Sequence, residues 1–162
     1  MKILLAIDGS PYSDQAVAQV ACRPWPKGSE VKVLTAFELS LLPTPEAWAL
    51  PATFLDEMEQ AGRRYAREIG DRAVGLLESR LDKGVAVSKE ALPGSPRSVI
   101  LDEAKNWGAD LIVVGSHGYC AWERFLLGSV SQSVVSHADC SVEVVRSTNG
   151  EMAPDTELEE EV

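Results

Sequence analysis

The chain has 162 residues and a mass of 17.5 kDa, enough for one well-filled hydrophobic core and too little for two. Hydrophobic residues at 45% and charged residues at 25% match an ordinary globular composition, and no apolar stretch reaches the length of a membrane-spanning helix. The formal charge of −10 argues against general nucleic-acid binding, which needs a positive surface; Glu151, Asp155, Glu157, Glu159, Glu160 and Glu161 account for six of those charges and leave residues 1–146 near −4.

The first apolar run, Lys2 to Ile7, is broken by Asp8 before a signal-peptide core forms. It predicts a strand, followed by a helix with Ser10 as N-cap and Pro11 at its first position. After the turn at Pro26-Lys27-Gly28, the β-branched run Val31 to Phe37 predicts a second strand. The segment from Glu38 to Pro51, with prolines at 43, 45 and 51, is irregular. A long amphipathic helix follows, carrying Leu55, Met58, Tyr65, Ile69, Ala73, Leu76 and Leu77 and ending at Gly84. Its three internal glycines, Gly62, Gly70 and Gly75, each weaken it by up to about 1 kcal/mol relative to alanine, so packing must hold it.

The alternation then repeats. Val85 to Ala91 predicts a strand, Ser95 and Pro96 open a helix through Trp107 and Gly108, and Asp110 to Val114 predicts a fourth strand, apolar on both faces. A helix from Ser129 to His137 and a strand from Ser141 to Val145 complete one α/β domain over 1–146, an open parallel five-stranded sheet with helices on both faces. Residues 147–162 form an acidic tail without periodicity, expected to be disordered and to act as a solvating end rather than a specific docking segment.

Open parallel sheets bind ligands beyond the carboxyl ends of their strands, where helix N-termini offer unpaired N–H groups to anions. The carboxyl ends of the first and fourth strands bring together Asp8 and the loop Gly115-Ser116-His117-Gly118. Glycines at 115 and 118 let the backbone approach a ligand closely, while Gly128-Ser129-Val130-Ser131 opens a helix with outward amides. Ser129 and Ser131 offer hydroxyls to phosphate oxygens or to water on a divalent ion. The plainer alternative is that the glycines only shape a turn and Ser129 only caps a helix. Asp8 either accepts hydrogen bonds from ribose hydroxyls or closes the first strand as a turn former.

The spacing G-x-x-G-x9-G-[ST], met by Gly115, Gly118, Gly128 and Ser129, resembles the nucleotide-binding signature of the universal stress protein family. The resemblance extends over Ile7-Asp8-Gly9-Ser10, Gly94-Ser95-Pro96, Ala109 to Gly118 and Leu126 to Ser131, nearly the whole folded chain. It implies a Rossmann-like fold of the adenine nucleotide alpha hydrolase kind, strand order 3-2-1-4-5, and ATP binding in the manner of family members that carry the motif. Gly118, Gly128, Ser129, Val130 and Ser131 then hold phosphates and ribose, and Ala6, Ile7, Asp8, Ala36, Val114 and Gly115 line the adenine and ribose pocket. Mg²⁺ accompanies ATP through phosphate oxygens and water, with at most a serine from the protein. The family also implies a homodimer through the last strand, here Val142 to Val145.

The chain departs from the family pattern in two places. Tyr119-Cys120-Ala121-Trp122-Glu123 replaces the commoner basic and glycine residues, leaving Arg124 as the loop's cation, either on a terminal phosphate or as a surface charge beside Glu123. Glu143 puts a charge on the expected dimer strand, where it either weakens edge pairing or points outward without effect.

Trp122 is expected to pack, and His117 and His137 to serve a turn and a helix end rather than a metal. Three separated cysteines, Cys22, Cys120 and Cys140, suggest neither disulfide nor zinc, and fit a reducing cytoplasm. The functional expectation is therefore an ATP-dependent regulatory module of a stress response. A slow ATP-hydrolysing enzyme is the alternative, and a flavodoxin-like electron carrier is weaker still. With no GxxxxGK[ST] loop and no lysine from Asn106 onward, phosphate-loop chemistry is excluded and any hydrolysis is slow.

Overall fold

Side chains alternate across each strand, so a strand buried on both faces needs apolar residues at every position. In the computed structural model, which describes residues 1–38, 51–118 and 127–146, the first strand, β1 (Lys2–Ala6), meets that requirement. Ile3 and Leu5, with Ile7 just beyond, enter one core and Leu4 and Ala6 the other, all buried. The chain continues through α1 (Pro11–Cys22), β2 (Glu30–Phe37), α2 (Ala52–Arg80), β3 (Ala86–Pro93), α3 (Pro96–Trp107), β4 (Leu111–Gly115), α4 (Ser129–His137) and β5 (Ser141–Val145). All pairings are parallel, in the order β3-β2-β1-β4-β5. This is the expected fold and strand order.

One face packs under α1 and α2, where Val17, Val20, Ile69 and Leu77 meet Ile3, Leu5, Val31, Val33 and Val113. The other packs under α3 and α4, where Ile100, Ala104 and Val134 meet Leu4, Leu34, Ile112 and Val114. Each fully buried Leu, Ile or Val stabilises by roughly 1.5–3 kcal/mol relative to exposure, so the two layers carry the fold.

Helix ends follow the sequence closely. Ser10 caps α1, its side chain accepting from the Ser13 amide, and Gly108 ends α3 in the left-handed conformation at φ 70°. The long helix stops at Arg80 rather than running to Gly84, because Leu81 leaves helical geometry while its N–H still bonds Leu77 O. Packing explains one of its internal glycines: a Cβ at Gly62 would stand 3.1 Å from the Phe37 ring, whereas one at Gly70 would meet the Lys89 side chain at an ordinary contact distance of 3.6 Å. Gly75 meets nothing within 4 Å, and nothing in the structure explains it.

Glu143 does not point outward without effect: it is paired within its own chain. Its carboxylate takes a two-pronged hydrogen bond from Arg23 just after α1, 2.7 Å on each prong, with Arg23 also lying over the Trp25 ring. The reason is alternation: on β5, Val142 and Val144 enter the core under α4, which turns Glu143 to the α1 side. The paired Glu143 carboxylate holds the Arg23 guanidinium charged, raising its pKa despite partial desolvation. At the amino ends of the strands, Lys32 bridges Glu103 at 2.6 Å and Glu90 at 3.3 Å; burial disfavours its charge, but the two carboxylates outweigh burial and raise its pKa.

Candidate functional site

At the carboxyl ends of β1, β2 and β4 lies a cleft open to solvent. It lies where β1 has β2 on one side and β4 on the other, the crevice in which the sheet order reverses. Ala6, Ile7, Asp8, Ala36, Val114, Gly115, Gly118, Gly128, Ser129, Val130 and Ser131 all line it. Arg124 and the loop Tyr119 to Glu123 lie outside the described residues.

Asp8 sits where β1 gives way to a turn. Its Oδ1 accepts from the Ser10 amide at 2.9 Å, the turn-forming role, while Gly9 adopts φ 83° and carries the chain into α1. The other carboxylate oxygen faces Gly118 so closely that a Cβ there would lie 2.7 Å from Oδ2. One oxygen therefore shapes the turn and the other is presented at the cleft.

The three glycines of the loop and helix start have distinct physical tasks. A Cβ at Gly115 would lie 2.8 Å from the backbone carbon of Tyr12, so this glycine lets α1 settle against the end of β4. Gly118 leaves room for the Asp8 carboxylate. At Gly128 a Cβ would come 3.3 Å from His117 Cα and 3.4 Å from Ser116 O, so the start of α4 is pressed onto the strand-end turn. That contact is fixed by Gly128 N donating to Ser116 O at 2.8 Å. Internal packing, as much as ligand approach, thus demands these glycines.

The serines also divide. Ser129 does not cap α4: Gly128 occupies the N-cap position and no side chain bonds the first turn. Ser131 does not offer its hydroxyl proton to a ligand, because Oγ is buried and donates to Ser116 O at 3.0 Å and Gly128 O at 2.9 Å. The first closed turn is Gln132 N to Gly128 O, which leaves the amides of Ser129, Val130 and Ser131, at the positive end of the helix dipole, without acceptors among the described residues. Three backbone donors and one exposed hydroxyl, on Ser129, could serve an anion here.

The opposite end of the cleft is apolar. Leu34, Pro96 and Ile100 join Ala6, Ile7, Ala36 and Val114 as its walls. Leu34 O accepts from Ile7 N at 2.9 Å, and β1 ends at the register pair Ala6 with Leu34. Backbone direction repeats every second residue along a strand, so Ala36 turns its N–H and C=O toward the space where β1 has ended. A flat, weakly polar ring held between small apolar side chains, with backbone groups at its edge, suits this slot.

Sequence reasoning missed Ser13, Leu34, Pro96, Ile100 and His117 as lining residues. From the sequence Pro96 reads only as a helix start; the place of Pro96 and Ile100 in the wall depends on α3 packing across β2. His117 does serve the turn, its Nδ1 3.2 Å from Ser116 Oγ and its ring 5.2 Å from that of Tyr12, while Nε2 is buried without a partner among the described residues. His137 closes α4, its Nδ1 2.8 Å from Ser133 O. No group of three or more His, Cys, Asp or Glu side chains is placed to hold a metal among the described residues. Burial, then the charges of Asp110 and Asp139, push the Cys140 thiol up in pKa, which favours its protonated form.

Comparison with known proteins agrees with this layout. Residues 1–146 match the model of the universal stress protein family. Universal stress protein YxiE of Bacillus subtilis is 31% identical over 148 residues, covering 90% of this chain and 98% of that one. The solved structure of hypothetical protein MJ0577 superposes with a TM-score of 0.76 at 27% identity, covering 91% of this chain and 96% of that chain. A universal stress protein family member from Arabidopsis thaliana, solved with AMP bound, shares the fold with a TM-score of 0.65 at 20% identity, covering 96% and 97%. The motif spacing, the strand order and these matches carry one conclusion: the chain belongs to the universal stress protein family.

Proposed function

We propose that this protein binds ATP, as Mg-ATP, and acts as a nucleotide-dependent regulatory module of a stress response in the cytoplasm. The observation that carries the reading is the pairing, in one cleft, of an apolar slot walled by Ala6, Ala36 and Val114 with three acceptor-free amides at the start of α4. The slot takes adenine, the Asp8 carboxylate accepts from ribose hydroxyls, and the α4 amides and the Ser129 hydroxyl take phosphate oxygens. Mg²⁺ is carried by those phosphates and by water. A family relative with AMP bound supports an adenine nucleotide in this fold.

The described lining of the cleft supports regulation rather than turnover. Asp8 is the one carboxylate that lines it among the described residues, and one of its oxygens is committed to the turn. Fast hydrolysis needs a positioned water, a base and charge stabilisation on the transferred phosphoryl group, so any ATPase activity here is slow. In the homodimer that the family suggests, Val142 to Val145 form the pairing edge, with Glu143 already satisfied by Arg23 within its own protomer.

Calorimetric titration of the purified protein with Mg-ATP, alongside mass spectrometry of nucleotide released from the undialysed preparation, tests the reading. Saturable heat with Mg-ATP, much weaker heat with Mg-GTP and adenine nucleotide in the released fraction are expected. A flat Mg-ATP titration together with a nucleotide-free preparation overturns it.

A further inference from the structure

β3 is an outer strand of the sheet, and among the described residues no strand lies beyond it. Two bonds fix the direction of its backbone: Ala86 N donates to Ser29 O at 3.0 Å, and Gly94 N, just past the strand, donates to Phe37 O at 2.9 Å. Between them the pairing with β2 runs unbroken from Ala86 to Pro93. A strand turns the N–H and C=O of successive residues to opposite sides, so the even-numbered residues face β2 while Val87, Lys89 and Ala91 offer theirs to the open side. Pro93 shares their direction but has no N–H, which ends the row of donors.

That open side is a groove, lined by Lys89, Glu90 and Ala91 of β3 and by Ala66, Arg67 and Gly70 of α2. Ala66 and Gly70 stand one helical turn apart, and their small side chains leave the space beside the strand edge unfilled. Two of the lining charges are answered within the chain: Lys89 pairs with Asp71, and Glu90 pairs with Lys32. Arg67 is exposed and makes no ion pair among the described residues, nor does the exposed Arg64 one turn before it. On a chain with a formal charge of −10, this rim of the groove keeps positive charge that the chain itself does not neutralise.

We propose that the groove docks an extended acidic segment of a partner protein, which adds to β3 as a further strand. The outward N–H and C=O groups of Val87, Lys89 and Ala91 supply the main-chain ladder, and alternate side chains of the added segment turn toward α2. There Ala66 and Gly70 leave room for them, and a carboxylate among them meets Arg67. At about 3.3 Å per residue, the open stretch from Val87 to Ala91 takes a segment of about five residues.

The probe is a capped synthetic peptide of about eight residues that alternates Glu with Thr, titrated into the full chain at low salt and followed by fluorescence anisotropy. The same peptide with Gln or with Lys in place of Glu serves as control. Saturable binding is expected for the Glu peptide, weaker binding for the Gln peptide and none for the Lys peptide, with added salt weakening the Glu peptide most. Ala91→Pro removes one outward N–H that β2 does not use, and should weaken the Glu peptide about tenfold without lowering the melting temperature. Arg67→Gln should weaken the Glu peptide about fivefold and leave the Gln peptide unchanged. Methylating alternate amides of the peptide tests the ladder with the protein unaltered: one phase of methylation should abolish binding and the other should preserve it. No saturable binding of the Glu peptide, or equal binding after either phase of methylation, overturns the proposal. So does a concentration-dependent dimer in light scattering that Ala91→Pro dissolves while no peptide binds, since the edge then serves a second copy of this chain.

Discussion

Three helices begin at the cleft, and two of them, α1 and α4, treat their N-termini in opposite ways. α1 closes on itself: Ser10 Oγ accepts from Ser13 N at 3.3 Å, Ser13 Oγ accepts from Gly9 N at 3.1 Å and donates to Ser10 O at 2.9 Å, and Asp8 Oδ1 takes Ser10 N. α4 begins at a glycine, which has no side chain to cap with, and the nearby Ser131 hydroxyl turns back to Ser116 O and Gly128 O. Both starts sit at the same edge of the same sheet, so position alone does not make an anion site. In the proposed reading, what makes one is the lack of the protein's own acceptors among the described residues, which leaves three amides that a ligand would satisfy.

The strongest way to break that contrast is to give α4 the cap it lacks. In Gly128→Asp the new carboxylate reaches the free amides of the first turn and occupies the place assigned to phosphate. The added Cβ meets His117 Cα at 3.3 Å, a crowding that the new cap offsets. ATP affinity should fall by about 100-fold while stability in urea stays within about 1 kcal/mol of the parent. Undiminished affinity in calorimetry would show that phosphates do not use α4.

A smaller effect is expected on the other side of the cleft. In Gly118→Ala the methyl group needs the space now held by Asp8 Oδ2, 2.7 Å away, and the carboxylate is a side-chain end that swings aside rather than rigid backbone. The variant should keep its melting temperature and lose about tenfold in ATP affinity, corresponding to about 1.4 kcal/mol. Gly115→Ala is the internal control, since its methyl group meets Tyr12 backbone at 2.8 Å and should cost about 2 kcal/mol of stability. Equal stability losses in the two variants would place Asp8 in the packing rather than at the ligand.

These glycines also show what the sequence disclosed and what it withheld. The fold was legible because β1 and β4 are apolar at successive positions, β2 is β-branched, and Ser10-Pro11, Ser95-Pro96 and Gly108 punctuate the helices; each is a local signal. The cleft's outline was legible because strand ends and a helix start follow from the same signals. What each residue does there was not. Gly115 reads as an approach for ligand and turns out to admit α1, Ser131 reads as a phosphate hydroxyl and is spent on Ser116 O, and Glu143 reads as an edge charge and pairs with Arg23. Pro96 and Ile100 join the wall through α3 packing on β2, which sequence spacing does not encode. Roles decided by contacts between distant segments leave no periodic trace.

The smallest expected effect removes the closure of α1 and leaves α4 untouched. Ser10 is fully buried, and in Ser10→Ala the Ser13 amide loses its acceptor while Asp8 Oδ1 keeps the residue-10 backbone amide. The lost cap should cost about 1 kcal/mol in urea unfolding, within the usual range for a capping serine replaced by alanine. Because the turn that aims Asp8 depends on the backbone of residue 10 and not on its hydroxyl, ATP affinity should change by less than about twofold, or about 0.4 kcal/mol. Should affinity instead drop in step with stability, the two helix starts are coupled through the turn. The closed N-terminus would then belong to the binding site as much as the open one does.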